Sequence, residues 1–562
     1  GPGGSTGRLA GAGGEFVDMA IGKRLLVNKP AEESFYASPM YDFLYPFRPV
    51  GNQWLPEYII FVCAVILRCT IGLGPYSGKG SPPLYGDFEA QRHWMEITQH
   101  LPLSKWYWYD LQYWGLDYPP LTAFHSYLLG LIGSFFNPSW FALEKSRGFE
   151  SPDNGLKTYM RSTVIISDIL FYFPAVIYFT KWLGRYRNQS PIGQSIAASA
   201  ILFQPSLMLI DHGHFQYNSV MLGLTAYAIN NLLDEYYAMA AVCFVLSICF
   251  KQMALYYAPI FFAYLLSRSL LFPKFNIARL TVIAFATLAT FAIIFAPLYF
   301  LGGGLKNIHQ CIHRIFPFAR GIFEDKVANF WCVTNVFVKY KERFTIQQLQ
   351  LYSLIATVIG FLPAMIMTLL HPKKHLLPYV LIACSMSFFL FSFQVHEKTI
   401  LIPLLPITLL YSSTDWNVLS LVSWINNVAL FTLWPLLKKD GLHLQYAVSF
   451  LLSNWLIGNF SFITPRFLPK SLTPGPSISS INSDYRRRSL LPYNVVWKSF
   501  IIGTYIAMGF YHFLDQFVAP PSKYPDLWVL LNCAVGFICF SIFWLWSYYK
   551  IFTSGSKSMK DL

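Results

Sequence analysis

Asp87, Glu89, Arg92 and His93 fall within the ten residues YGDFEAQRHW (85–94) of a 562-residue chain in which only 12% of residues are charged. A carboxylate held rigidly at a helix start can accept a proton from a substrate hydroxyl, which is the task of a general base. Asp87 follows Gly86 and precedes a run of good helix formers that ends at Leu101-Pro102. It is therefore expected to cap that helix while keeping lone pairs for chemistry, with Glu89 favouring the helix dipole. The two acids could also suggest a divalent cation. Residues two apart on a helix face different ways, however, and no further oxygen ligands follow, so no metal is expected.

Other polar clusters invite similar questions. WYWYDLQYWGLDYPP (106–120) is dense in aromatics, which can form an interfacial belt or a platform for pyranose rings. Its Asp117 precedes Tyr118-Pro119-Pro120, a stiff turn that would fix the carboxylate. HGHFQYN (212–218) places His212, His214, Gln216 and Asn218 between two apolar runs. A zinc pair would need a third ligand that is not apparent, so hydrogen bonds to substrate hydroxyls are the better reading. HQCIH (309–313) mimics a metal cluster no more convincingly. FPFARGIFEDKVANFWC (316–332) carries Arg320, Glu324, Asp325 and Lys326, and VHEK (395–398) carries His396, Glu397 and Lys398 at a helix start. Each can be read as interfacial ion pairing, or as cations suited to a lipid phosphate.

These groups must be positioned by membrane helices. The chain is 54% hydrophobic and 18% aromatic, with a mean hydropathy of +0.41, too apolar for a soluble domain. Recurrent apolar runs of about 20 residues are long enough to cross a bilayer. The net charge of +14 comes from Lys and Arg clustered in short loops, the pattern of membrane insertion rather than of nucleic-acid binding. The run 121–137 opens with Pro119-Pro120 and ends at Asn137-Pro138. If it does not span, Lys181/Arg185/Arg187, Arg268/Lys274/Arg279, Lys373/Lys374 and Arg486/Arg487/Arg488 all join the N-terminal basic residues on the cytosolic side. The positive-inside rule selects that topology, with about fourteen spanning helices and both termini cytosolic. The polar motifs then converge on the opposite face.

The expected organisation follows. Residues 1–18 read as a Gly-rich tag or linker and 19–57 as a cytosolic segment without a cleavable signal, so the first span acts as an uncleaved anchor. Residues 58–300 form a membrane module that includes a large non-cytosolic loop, 75–159. A second such loop covers 301–348. Residues 349–562 form a C-terminal membrane module with a flexible cytosolic loop at 462–494. Cys311 and Cys332 share one loop and could pair if it faces an oxidising lumen.

GDFEAQRHWMEIT, YWGLDYPPLTA, HGHFQYN, FKQM, RGIFEDKVANFWC and VHEKTIL resemble the signature blocks of the endoplasmic-reticulum glucosyltransferases that use dolichyl-phosphate-glucose. The resemblance runs from about Tyr41 to the end of the spanning region. Gly86, Ala90, Gln91 and His93 favour the branch that adds the first glucose over the sibling branch that adds the second. It implies an all-α, polytopic GT-C fold with a catalytic first luminal loop in the endoplasmic-reticulum membrane. It also implies two partners, dolichyl-phosphate-glucose as donor and dolichyl-diphosphate Man9GlcNAc2 as acceptor, an α-1,3 linkage, and no cofactor or metal. Asp87 matches the family's motif aspartate, and His396 matches the phosphate-contacting His of its His-Glu-Lys block. Lys398 and Arg320 are expected to assist at the phosphate. Asp117, His214, Glu89, Trp114 and Tyr118 are expected substrate contacts. A monomer in the bilayer is expected, with no nucleic-acid partner.

Elementary chemistry agrees with that picture. Converting a β-linked glucosyl phosphate to an α product takes one in-line displacement, which needs one base and cations to steady the phosphate. A phosphate is already a good leaving group, so no acid is required, unlike glycoside hydrolysis. A lipid-linked sugar flippase would instead predict internal repeats and charges inside spans, and Asp168 is the main intramembrane acid. A purely structural subunit would give no reason to gather acids, histidines and cations on one face.

Overall fold

The computed structural model describes residues 35, 38–49, 54–317, 326–460 and 490–555. Among these residues every regular element is helical and no strand occurs. Six helices are long and apolar enough to cross a membrane: Leu55–Gly72, Gly155–Tyr186, Ile277–Phe300, Ile346–Leu370, Lys374–Phe391 and Leu527–Thr553. Pro191–Leu202 and Pro205–Phe215 form a further candidate, bent by 48° at its break. The remaining apolar runs form shorter helices, so run length alone overcounts the long uninterrupted spans. Prolines head several of them, for instance the helices Pro120–Phe136 and Ala258–Leu270.

The outer helices show their solvent in their surface chemistry. Ile277–Phe300 leaves Val282, Phe285, Leu288 and Ile293 exposed, each more than half accessible. Such a continuous apolar face is stable only against lipid. Pro120–Phe136 behaves differently. At 17 residues it is about 25 Å long, shorter than a comfortable span. It turns Thr122, Ala123, Ser126, Gly130 and Gly133 inward. A Cβ on Gly130 would lie 2.8 Å from Gln99 and 3.1 Å from Met95, so this face lies directly against the helix Asp87–His100.

That helix is the best-packed element of the loop between the first two long spans, with Phe88 through Thr98 all buried. Arg92 organises it from within. Its guanidinium forks onto Glu89 at 2.7 Å twice, reaches Glu96 at 2.8 Å and donates to the Trp140 carbonyl at 2.9 Å. The three charges are thus paired within one helix, with His93 Nδ1 a further 3.0 Å partner of Glu96.

Asp168 is held by its neighbours. The span Gly155–Tyr186 passes through a π-helical turn at Asp168–Tyr172, and a second π-helical segment, Leu209–Phe215, carries DHGHF. Such turns rotate side chains out of the ordinary register. Here Asp168 meets Arg68 Nε at 2.8 Å and also His212 Nε2. Arg68 Nη2 donates to the Leu202 carbonyl at 3.0 Å, and its guanidinium lies 4.6 Å from the Phe173 ring. One buried ion pair therefore locks the first span, the second span and the segment bearing the histidines. Asp168→Leu leaves Arg68 unpaired and is expected to cost about 3–5 kcal/mol. Arg68→Met/Asp168→Leu is expected to be milder than that single change, measured as thermal unfolding in detergent.

Candidate active site

The start of the helix Asp87–His100 is set by two glycine backbones in contact. Gly78, at φ +69°, and Gly86 approach so closely that a Cβ on Gly78 would lie 2.1 Å from the Gly86 nitrogen. A Cβ on Gly86 would lie 2.7 Å from the Ser77 carbonyl. Only glycine tolerates such an approach. Ser77 then ties this turn to the histidine segment, donating from N at 3.2 Å and from Oγ at 2.7 Å to the His214 carbonyl. Tyr76 stacks on Phe88 at 3.8 Å, and Phe88 meets Phe215 edge-on at 5.0 Å.

The N-cap is Gly86, not Asp87, and no side chain caps this helix. Asp87 is the first helical residue, and its carboxylate is committed elsewhere. Its Oδ2 accepts from Lys398 Nζ at 2.6 Å, from Gln216 Nε2 at 2.7 Å and from His214 Nε2 at 2.8 Å. All of these contacts fall on one oxygen, and the side chain keeps 22% of its surface accessible. The described hydrogen bonds leave Oδ1 without one of these three donors. Burial would raise the Asp87 pKa, but the Lys398 charge and the His214 hydrogen bond and charge outweigh it and hold the carboxyl well below its ordinary range.

A chain of amides extends from this carboxylate. Gln216 Oε1 accepts from Asn218 Nδ2 at 2.7 Å, Asn218 Oδ1 accepts from Lys251 Nζ at 2.5 Å, and Asp211 accepts the backbone N–H groups of Asn218 and Ser219. These bonds fix which way both amides point. Lys251 is buried beneath the Tyr118 ring, 5.4 Å from its centroid. Burial, with the Lys398 charge, pulls its ammonium down to about 8 against the acids Asp211, Asp87 and Asp117. A small cavity opens here between Gln91, Tyr118, Thr122, Gln216, Tyr217, Phe250 and Lys251.

Of the residues expected from sequence, Asp87, His214 and Lys398 meet directly, Tyr118 lies over Lys251, and Asp117 is within Coulombic reach of Lys251. His396 caps the turn Glu397–Ile400 and is exposed, two residues from Lys398. Arg320 lies outside the described residues. Glu89 does not join the cluster: Arg92 holds both of its oxygens, and Tyr113 adds a hydrogen bond at 2.7 Å. It anchors the helix rather than a sugar. Trp114 donates its indole N–H to the Leu84 carbonyl and accepts from Trp94 at 3.0 Å, so its polar edge braces the loop. His212 and His214 take different partners, Asp168 and Asp87, and do not form a metal pair. HQCIH belongs to the helix Leu305–Ile315, which supports the aromatic segment through Gln310 on the Tyr107 carbonyl and Arg314 on that of Leu116. Cys311 and Cys332 form no disulfide with each other.

Sequence reasoning missed Gln91, the role of Lys251 in FKQM, and Asp440, whose Oδ2 meets the second ring nitrogen of His214 at 2.5 Å. A lysine at the break between two apolar runs is a usable signal. Asp440 in LKKDG reads as an ordinary polar turn and offers none.

A membrane protein that is all-helical among the described residues, with an aspartate held by Lys398, Gln216 and His214, fits a lipid-dependent glycosyltransferase, and the comparisons agree. The model of the ALG6, ALG8 glycosyltransferase family matches residues 64–546, and the chain belongs to that family. It is similar to a protein of Schizosaccharomyces pombe named probable dolichyl pyrophosphate Man9GlcNAc2 alpha-1,3-glucosyltransferase, with 44% identity over 93% of this chain and 97% of the relative. Proteins named dolichyl pyrophosphate Man9GlcNAc2 alpha-1,3-glucosyltransferase in Gallus gallus and Pongo abelii are 37% and 36% identical. They cover 88% and 91% of this chain, and 96% and 99% of their own lengths.

A carboxyl held this low stays ionised down to strongly acid pH, so in the wild type no loss of rate between about pH 5 and 7 should come from Asp87. Lys398→Met removes its strongest lowering charge. The Asp87 pKa then rises, and the acid limb of the rate profile should move toward neutrality, read from initial rates across that range.

Proposed function

We propose that this chain transfers glucose from dolichyl-phosphate-glucose to the terminal mannose of the lipid-linked Man9GlcNAc2 acceptor, forming an α-1,3 linkage at the luminal face of the endoplasmic-reticulum membrane. The observation that carries this reading is the Asp87 carboxylate, held through Oδ2 by three donors. Oδ1 of Asp87 takes the proton of the acceptor hydroxyl. The hydroxyl oxygen attacks the anomeric carbon from the face opposite the phosphate, the C–O bond to phosphate breaks, and dolichyl phosphate leaves with the electron pair. One inversion turns the β donor into the α product.

Lys398 connects the two halves of the reaction. Its ammonium already touches the base, so a phosphate oxygen within its reach brings the anomeric carbon close to Oδ1. His396, two residues away, and Arg320 are expected to assist at the phosphate. Tyr118 offers an apolar face, and Asp117, Gln91 and Lys251 offer hydrogen-bonding groups for the sugar hydroxyls. Because fixed cations neutralise the charge developing on phosphate, a metal ion is not required.

The experiment uses purified protein, synthetic dolichyl-phosphate-glucose and the mannosylated lipid acceptor. Asp87→Asn is expected to lose about 10²–10⁴-fold in rate, and EDTA is expected to leave turnover unchanged. Undiminished turnover by the variant contradicts the base assignment, and abolition by EDTA contradicts the metal-independent mechanism. Transfer only to an acceptor that already carries one glucose would move the chain to the sibling activity.

A further inference from the structure

Asp440 lies in the turn that joins the helix Trp434–Lys439 to the helix His443–Leu456, 226 residues along the chain from its partner His214. Both side chains are nearly inaccessible, at 4% for Asp440 and 5% for His214. The imidazole stands between two carboxylates, with Nε2 on Asp87 and Nδ1 on Asp440. A carboxylate only accepts hydrogen bonds, so satisfying both contacts requires a proton on each ring nitrogen.

The charges around the ring point the same way. Asp87 and Asp440 bring two negative charges, while Lys398, whose Nζ is 3.5 Å from Nε2, brings one positive charge. A doubly protonated His214 supplies the second, and these four directly contacting groups are neutral together. A neutral imidazole would leave a buried net charge. Arg161, packed near the Phe215 ring, and Lys251 lie within Coulombic reach of Asp440 and Asp87 respectively, and they support both carboxylates. The approach is built into the backbone as well. A Cβ on Gly213 would lie 2.9 Å from Leu442, so the 440–442 turn rests directly on the histidine segment.

We propose that Asp440 is a positioning residue of the transfer reaction: by accepting the Nδ1 proton of His214 it keeps that ring an imidazolium, oriented so that Nε2–H holds Asp87 Oδ2 and Oδ1 is left for the acceptor hydroxyl. This rests on Asp87 being the base. The C-terminal membrane module thereby contributes to the catalytic centre through a residue that touches no substrate.

The test compares wild type, Asp440→Asn, His214→Gln and the double variant in detergent, each checked for cooperative melting. Rates are measured from about pH 5.5 to 9. Asp440→Asn is expected to slow turnover about 10–10²-fold with acceptor KM within about threefold. It should also bring in an alkaline loss of rate at lower pH than any wild-type limb set by Lys251, because the ring can then shed a proton. His214→Gln keeps an N–H toward Asp87 but cannot titrate. It should be about 10-fold slow, should lack the new limb, and should suppress it in the double variant. A uniform fall without a changed profile, or additive losses in the double variant, overturns the proposal. If Asp440→Asn does not fold, His214→Gln decides alone: a slowed rate despite the retained N–H supports the charged ring, and a wild-type rate overturns it. Absence of transfer by the wild type would instead overturn the glucosyltransferase reading.

Discussion

Neutralising one carboxylate at the membrane edge is the constraint around which this molecule is arranged. A single ionised aspartate is costly to hold in surroundings with little water, and removing one partner from such a group leaves an uncompensated charge. Asp87 is stabilised by Lys398, His214 and Gln216, and His214 in turn by Asp440. Four chain segments distant in sequence must meet at one point for that to happen. The π-helical turns, the Gly78–Gly86 crossing and the Arg68–Asp168 lock are the local devices that bring them there.

The arrangement separates two jobs that acidic clusters often confuse. Glu89 and Glu96 neutralise Arg92 inside one helix and make it rigid. Asp87 receives its neutralising charges from other helices and keeps an accessible edge. As the proposed base, a carboxylate with so low a pKa would be a weak proton acceptor in isolation, which would suit a reaction whose leaving phosphate carries most of the driving force. The acceptor proton then needs a place to go only as the sugar departs.

Much of this was legible in the sequence, and the exceptions have physical causes. The apolar runs, the short helix that starts at Pro120 and the helix that starts at Asp87 follow from periodicity, helix breakers and an acid before helix formers. The cap was misplaced because the Gly86 crossing depends on Gly78, and that contact is tertiary. Trp114 and Glu89 are attractive sugar ligands by type, yet their polar atoms are consumed by backbone and by Arg92. Asp440 could not be found from LKKDG, since nothing local separates a turn aspartate in solvent from one inserted beside a histidine. The zinc-pair reading of HGH does not hold because His212 and His214 take different partners, which local spacing does not reveal.

The central claim is that Oδ1 of Asp87 receives the proton while Oδ2 stays tied to the cationic pair. The most direct test is an experimental structure of the protein with a non-transferable dolichyl-phosphate-sugar donor and the Man9GlcNAc2 acceptor bound together. The account predicts the reacting acceptor hydroxyl at hydrogen-bonding distance, about 2.6–3.2 Å, from Oδ1, with a donor phosphate oxygen on Lys398 and His214 still bridging Asp87 and Asp440. A reacting hydroxyl held by any other group, with Asp87 turned away, would contradict it.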